Sequence, residues 1–437
     1  MSSKRWAVLV VSAALLLAFV VVIYVSQSTT SQTASTNLPG AALASAPASR
    51  LPANNTSDTA PRANGLKDGK PPKFDESLCK AIPSNLLERA AFIAKMQLVE
   101  VETAAEVDRL LTRASAASDP LERAAALFVG AQSLDAKTRT AFFEQHPPCG
   151  NSALCQQKVN AAAAAATFKN IDEITHLAIY SADPQQYALA FHACQRQADP
   201  AIGYCSQISA AQWAYRDPGN GTAWLQVASE ASKGRRNSEF EEAMFQFSRA
   251  KKFDLGLSPL VRLLNSESMQ SENVAVFAAV TALISGVVLN HALPEYKAVM
   301  DYCDVTALRD PNRRQVCNDV GANLAHDETS LINRAVGVKM GERLGWADSV
   351  LDPLLEERDA FRALQMDPFG GLSSAKAEDS DQDACLFGVH MTKHFEERIR
   401  LGEMGALRAR MNSQPLTRKA LAEQYRDHVQ QALAKRK

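Results

Sequence analysis

Residues 194–250 read CQRQADPAIGYCSQISAAQWAYRDPGNGTAWLQVASEASKGRRNSEFEEAMFQFSRA. Two Asp-Pro dipeptides stand in this stretch, at 199–200 and 217–218, with a close cysteine pair, Cys194 and Cys205, and two tryptophans, Trp213 and Trp224. An Asp side chain accepts the orphan N–H groups of a helix's first turn, and Pro, lacking an N–H, fits the first helical position. Ala243, Phe247 and Ala250 follow at helical spacing. The stretch therefore reads as short helices joined in hairpins, with no run of alternating β-branched residues to suggest strands.

Outward from it, Asp-Pro recurs at 119–120, 183–184, 310–311, 352–353 and 367–368, giving seven predicted helix starts in all. Further helices are expected over 85–114 behind Ser84, over 328–343, 353–365 and 385–404, and from Pro415. Alanine, the best helix former, is abundant, as in the run Ala161 to Ala166. Val274 to Leu289 is the most apolar internal segment, but its 16 residues fall short of the ~20 needed to cross a bilayer. It is expected to be a buried core helix. The predicted fold is all-α, an array of antiparallel helical hairpins over 73–369 with a C-terminal helical extension over 370–437 packed on it.

Asp217 to Leu225 (DPGNGTAWL) resembles the junction between two tetratricopeptide-type repeats, where Asp-Pro-x-Asn ends one repeat and a Trp soon opens the next. Ala243, Phe247 and Ala250 match that family's second-helix pattern. The match covers about residues 205–250, and Ala228 and Ala231 stand where the family has Gly and Tyr. The resemblance implies a helical array whose groove holds a protein or peptide. The residues proposed for that groove are Trp224, Gln226, Arg235, Arg236 and Phe240.

Lys4 and Arg5 precede an apolar run over 6–25, interrupted only by Ser12. As a helix it would span roughly 30 Å, a bilayer core. It exceeds the usual ~7–15-residue core of a cleaved signal peptide. Residues 1–25 thus read as a cytoplasmic stub and an uncleaved signal anchor, with the positive charges inside. The Ser/Thr/Ala/Pro-rich segment over 26–72 has too little apolar surface to fold and reads as a linker. The expected location is a bacterial inner membrane, single-pass, with the main domain in the periplasm.

All eight cysteines lie beyond the apolar run. An even count in an exported chain points to disulfides. Cys194 with Cys205, and Cys303 with Cys317, each flank an Asp-Pro, so a bridge would staple a hairpin, with the second Cys in the second turn of the following helix. Cys149 with Cys155 is a shorter version, and elimination leaves Cys79 with Cys385.

Little else points to chemistry. The net charge of −1 leaves no electrostatic footprint for nucleic acid. No nucleotide-binding or nucleophile-elbow motif is present, and no cofactor is implied. His390, His394 and Glu397 share one face of an expected helix and form a candidate zinc set, although Met391 stands where the zincin pattern places its general base. The sequence favours a membrane-anchored, extracytoplasmic helical scaffold binding a partner in the cell envelope. The alternative is an exported all-α metal-dependent hydrolase using those three residues.

Overall fold

In the computed structural model, residues 86–146, 152–197, 202–271, 273–289, 295–366 and 381–434 are described; of 86–100 and 381–392 the backbone alone is considered. The apolar run 6–25, the linker 26–72, Cys79 and Cys149 lie outside them. Among the described residues no helix is long and apolar enough to cross a membrane.

The described chain is all-helical. Its α-helices are α1 (Leu86–Ser115), α2 (Pro120–Gln145), α3 (Ala153–Ile179), α4 (Pro184–Cys194), α5 (Ala210–Arg216), α6 (Gly221–Lys233), α7 (Asn237–Ser248) and α8 (Ser258–Leu264). They continue as α9 (Val274–Leu289), α10 (Lys297–Tyr302), α11 (Pro311–Ala325), α12 (Leu331–Leu344), α13 (Asp348–Met366), α14 (Asp381–Ser413) and α15 (Arg418–Ala434).

Three of the seven Asp-Pro dipeptides start helices as expected. Asp119, Asp183 and Asp310 each accept a first-turn N–H, at 2.9, 2.8 and 2.9 Å. Two differ. Asp352-Pro353 lies inside α13, which begins a turn earlier because the Ala347 carbonyl already accepts from Val350 and Leu351 at 2.8 and 3.1 Å. Asp217-Pro218 forms a turn, and the helix after it is capped instead by Asn220. Asp199-Pro200 and Asp367-Pro368 lie outside the described residues.

Asn220, 1% exposed, explains that difference. Its side-chain amide donates to Asp217 Oδ2 at 3.0 Å and to the Asp254 carbonyl at 2.7 Å. Its oxygen accepts from the backbone N–H groups of Thr222 at 3.1 Å and Asp254 at 3.0 Å. All four hydrogen-bonding positions of one amide are thus used, which ties the start of α6 to the segment after α7. Between them α6 and α7 make an antiparallel hairpin with Ala223, Ala228, Ala231, Ala243 and Phe247 fully buried.

Two disulfides close connections between successive helices. Cys194–Cys205 and Cys303–Cys317 have Cα–Cα separations of 5.5 and 5.7 Å, within the normal range. Cys317 lies in the second turn of α11 as expected, but Cys205 lies in a 3₁₀ turn over Gly203–Gln207. Gly203 there adopts φ 65°, a conformation an α-helix does not contain. Cys155 is also disulfide-bonded.

The helices pack around two cores. The main one runs from Val107 on α1 to Leu344 on α12 and includes Phe128, Tyr187, Trp213 and Phe247. Helix α9 belongs to it, with Val276, Val280 and Ile284 at 1% exposure or less, packed against α1 and α2. That is the buried core helix the sequence suggests. With α8, it turns back onto the N-terminal helices, so the chain does not advance as a simple ladder. The second core is small: Phe361 and Leu364 of α13 meet Met404 and Leu407 of α14, Leu421 of α15 and Leu331 of α12.

Candidate functional site

The cleft with the richest chemistry sits at the second core, where α14 bends around the C-terminal end of α13. Gly402 makes the bend. Its φ of 72° and ψ of 171° form a backbone conformation that only glycine adopts readily. The arm before the bend carries His394 and Arg398, four residues apart and hence on one face. The arm after it carries Glu403, Ala406, Leu407 and Arg410, and α13 adds Leu364 and Gln365. Together they line a cavity of about 260 Å³.

The polar groups are ordered by Glu403. One of its oxygens accepts from Arg398 at 3.0 Å, and the other accepts the first N–H of α12, from Leu331, at 3.1 Å. The carboxylate therefore caps α12 and fixes the Arg398 guanidinium at the cavity wall. His394 is half-buried, and its imidazole is pushed down to about 4, first by burial and then by Arg398 and Arg410. At neutral pH it is an uncharged ring with one N–H donor and one acceptor.

His394 and Glu397 belong to the candidate zinc set, whereas the His390 side chain lies outside those described. Among the described residues no group of three His, Cys, Asp or Glu side chains is placed to hold a metal. The electrostatics at His394 oppose a dication, because the same two guanidinium groups that depress its proton affinity would repel one.

The five proposed groove residues do not form one surface. Arg235 and Arg236 are exposed in the turn between α6 and α7, and Phe240 stands nearby, half-buried against Tyr302 with ring centroids 5.3 Å apart. Trp224 lies at the opposite end of α6, half-buried, its indole N–H donating to the Pro218 carbonyl at 2.9 Å. Gln226 is 7% exposed and faces the interior. Arg235 has φ 55°, the one left-handed non-glycine among the described residues, at a helix end where glycine is usual. The Arg236 N–H reaches back to the Ala231 carbonyl at 2.9 Å, as such a cap requires.

A wider groove of about 550 Å³ runs along α3 beside Phe168, His176 and Tyr204. Within it Arg123 pairs with Glu173, and Asp172 accepts the Tyr204 N–H at 3.0 Å. His192, beside Cys194 in sequence, is a core residue, 3% exposed, donating from Nε2 to the Leu255 carbonyl at 2.8 Å. The Cys194 sulfur is held in its disulfide and is no nucleophile.

Sequence reasoning found His394 but none of its surroundings. Arg398 and Glu403 could have been found from their spacing about Gly402, had that glycine been read as a bend. No family model, curated protein or solved structure matches the chain.

Proposed function

We propose that the protein is an extracytoplasmic, membrane-tethered helical scaffold, held by residues 6–25 and a linker over 26–72, that binds a protein or peptide partner in the bacterial cell envelope. The carrying observation is the pair of disulfides, each closing the connection between successive helices. Such bonds persist in oxidising compartments and are rare in the cytosol. The tetratricopeptide-like array is the architecture we assign to the hairpins around α6 and α7. Partner contact is assigned to the turn carrying Arg235, Arg236 and Phe240, where the exposed Arg235 stands beside Arg236, itself paired with Glu239, and the half-buried Phe240 follows in the first turn of α7. A partner segment with acidic and apolar residues fits that chemistry.

The test combines compartment and contact in living cells. Thiol labelling of the denatured, unreduced full-length protein is expected to find no free cysteine, and a photo-crosslinker at position 240 to give a discrete adduct that Arg235→Glu removes. Eight labelled thiols would sink the export reading. An absent adduct, or one indifferent to Arg235→Glu, would sink the assignment of the contact.

A further inference from the structure

Tyr302 links the assigned contact turn to a disulfide. Its ring, 9% exposed, stands edge-on to that of Phe240, with 5.3 Å between centroids. Its hydroxyl donates to Glu241 Oε2 at 2.6 Å, and the other oxygen of that carboxylate accepts from Arg313 at 3.0 Å. The Arg313 guanidinium lies 4.4 Å from the centroid of the Tyr302 ring. One tyrosine thus holds two consecutive residues of α7 against α10 and α11. The residue after it is Cys303, bonded to Cys317, which follows Arg313 by one turn on the same face of α11.

What fixes α10 differs between its two ends. The helix has six residues, too few to persist on its own hydrogen bonds. Its N-terminal end is held without a disulfide: Tyr296 donates to Asn333 of α12, Glu295 pairs with Lys233 of α6, and Val299 is fully buried. Helix α11 is likewise seated by Val320 and Leu324, both without exposed surface. The C-terminal end of α10 is tied to α11 by Cys303–Cys317, at a Cα–Cα separation of 5.7 Å. That bond therefore acts locally on Tyr302, and through it on Phe240. The other bridge sits elsewhere. Cys194–Cys205 joins α4 to the 3₁₀ turn packed on α3, whereas α7 packs on α6 and α11.

We propose that closure of Cys303–Cys317 is an oxidation-dependent step that completes the partner surface, seating Tyr302 against Phe240 and Glu241, so that the reduced chain lacks a formed contact turn. This rests on the reading that Phe240 meets the partner. The chemistry is thiol–disulfide exchange with a protein oxidant carrying a reactive disulfide. One cysteine thiolate attacks a sulfur of that disulfide, expels its other sulfur as a thiolate and leaves a mixed disulfide. The second cysteine, as thiolate, attacks the first cysteine's sulfur and expels the oxidant's remaining sulfur. The chain gives up two electrons and two protons, and the oxidant departs as a dithiol. Once the bond is closed, Cys303 and Cys317 are 2% and 0% exposed, so a reductant has no approach to them in the folded chain. The step runs one way: a chain kept in a reducing compartment stays without its contact surface, and one oxidised outside it is fitted for its partner.

Full-length protein carrying 4-fluorophenylalanine at position 240 gives the test, since the fluorine resonance reports the seat of that ring. In the disulfide-bonded protein the resonance is expected well away from its position in urea. In Cys303→Ala/Cys317→Ala it should move most of the way to that position while circular dichroism keeps its helical signal. Cys194→Ala/Cys205→Ala should leave it in place. Tyr302→Leu, with both bonds intact, should move it as the loss of Cys303–Cys317 does. An unmoved resonance in Cys303→Ala/Cys317→Ala overturns the proposal, and so does an equal movement in Cys194→Ala/Cys205→Ala, which would mean a general loosening. If the cysteine variant does not fold, Tyr302→Leu decides alone, and an unmoved resonance there is equally fatal. In cells, the adduct from a photo-crosslinker at position 240 is expected to fall at least about tenfold in Cys303→Ala/Cys317→Ala, the worth of one well-placed aromatic contact. An undiminished adduct refutes the link to the partner. Absence of any adduct in the natural protein would sink the partner assignment alone, and the fluorine comparison would still decide whether the disulfide acts on the turn.

Discussion

At His394 the surroundings of a single ring translate into a dependence of stability on pH. Burial and the guanidinium groups of Arg398 and Arg410 lower its proton affinity from the ordinary 6.5 to about 4, and Glu403, engaged with Arg398, faces the same cavity. The unfolded chain therefore binds a proton at a pH where the folded chain does not. This stabilisation is fully present above about pH 6.5 and is lost progressively as pH falls towards 4. The difference is on the order of 2 kcal/mol once screening at the half-buried ring is allowed for. Urea unfolding between pH 7 and pH 4 should show His394→Gln losing less stability than the natural protein by about that amount. Parallel losses in the two proteins would mean that the ring titrates normally in the fold. A different residue-scale economy holds at Asn220, where four hydrogen bonds on one buried amide do the joining that Asp-Pro does elsewhere.

The pairing of α11 with α12 shows what sets the distance between two elements. A Cβ added at Gly337 of α12 would overlap backbone atoms of Leu324 and Ala325 on α11. At Gly321 of α11 it would meet Met340 Cβ at 3.2 Å and the Trp346 ring at 3.4 Å, an approach that a shift of a few tenths of an ångström relieves. Gly337→Ala is therefore expected to cost about 3 kcal/mol or more, because backbone cannot yield without separating the helices. Gly321→Ala is expected to cost about 1 kcal/mol. Denaturant unfolding of the two variants gives the comparison, and equal costs would refute backbone contact as the cause. The existence of these helices was legible in the sequence, because caps such as Asp119, Asp183 and Asp310 act on neighbours two or three residues away. The hairpin disulfides were legible for the same reason, Cys194 and Cys205 being 11 residues apart and Cys303 and Cys317 being 14. Asp352-Pro353 misled because a proline is tolerated beyond the start of a helix when the first turn is already anchored by another carbonyl, here that of Ala347. The cleft stayed hidden because it joins Leu364 to His394, Arg398 and Arg410 through a bend at one glycine. Periodicity around Gly402 is that of an unbroken helix.

Across the whole molecule, the two cores differ in size, and the difference predicts how the protein comes apart. The main core links α1 to α12 and is crossed by two disulfides, whereas the second gathers few buried side chains from α13, α14 and α15. Charged contacts reinforce the smaller one. Arg426 reaches the buried Asp359 at 2.8 Å, Arg418 reaches Glu356 at 2.7 Å, and Arg334 of α12 reaches Glu357 at 2.6 Å. Pairs of this kind orient α15 along α13, but the exposed ones add little free energy. The apolar cluster must carry the attachment, and Phe361, with no exposed surface, is its largest member. Phe361→Ala removes about 3–5 kcal/mol from a unit of this kind, enough to detach a small core that opens separately from a large one. In native-state hydrogen exchange the variant should lose protection in α13, α14 and α15 while α2, α3, α6 and α7 keep theirs. It should also lose the His394 environment, since the cavity is built from the same residues. If exchange instead accelerates equally in every helix, the two cores unfold as one unit, and the cleft shares the stability of the whole.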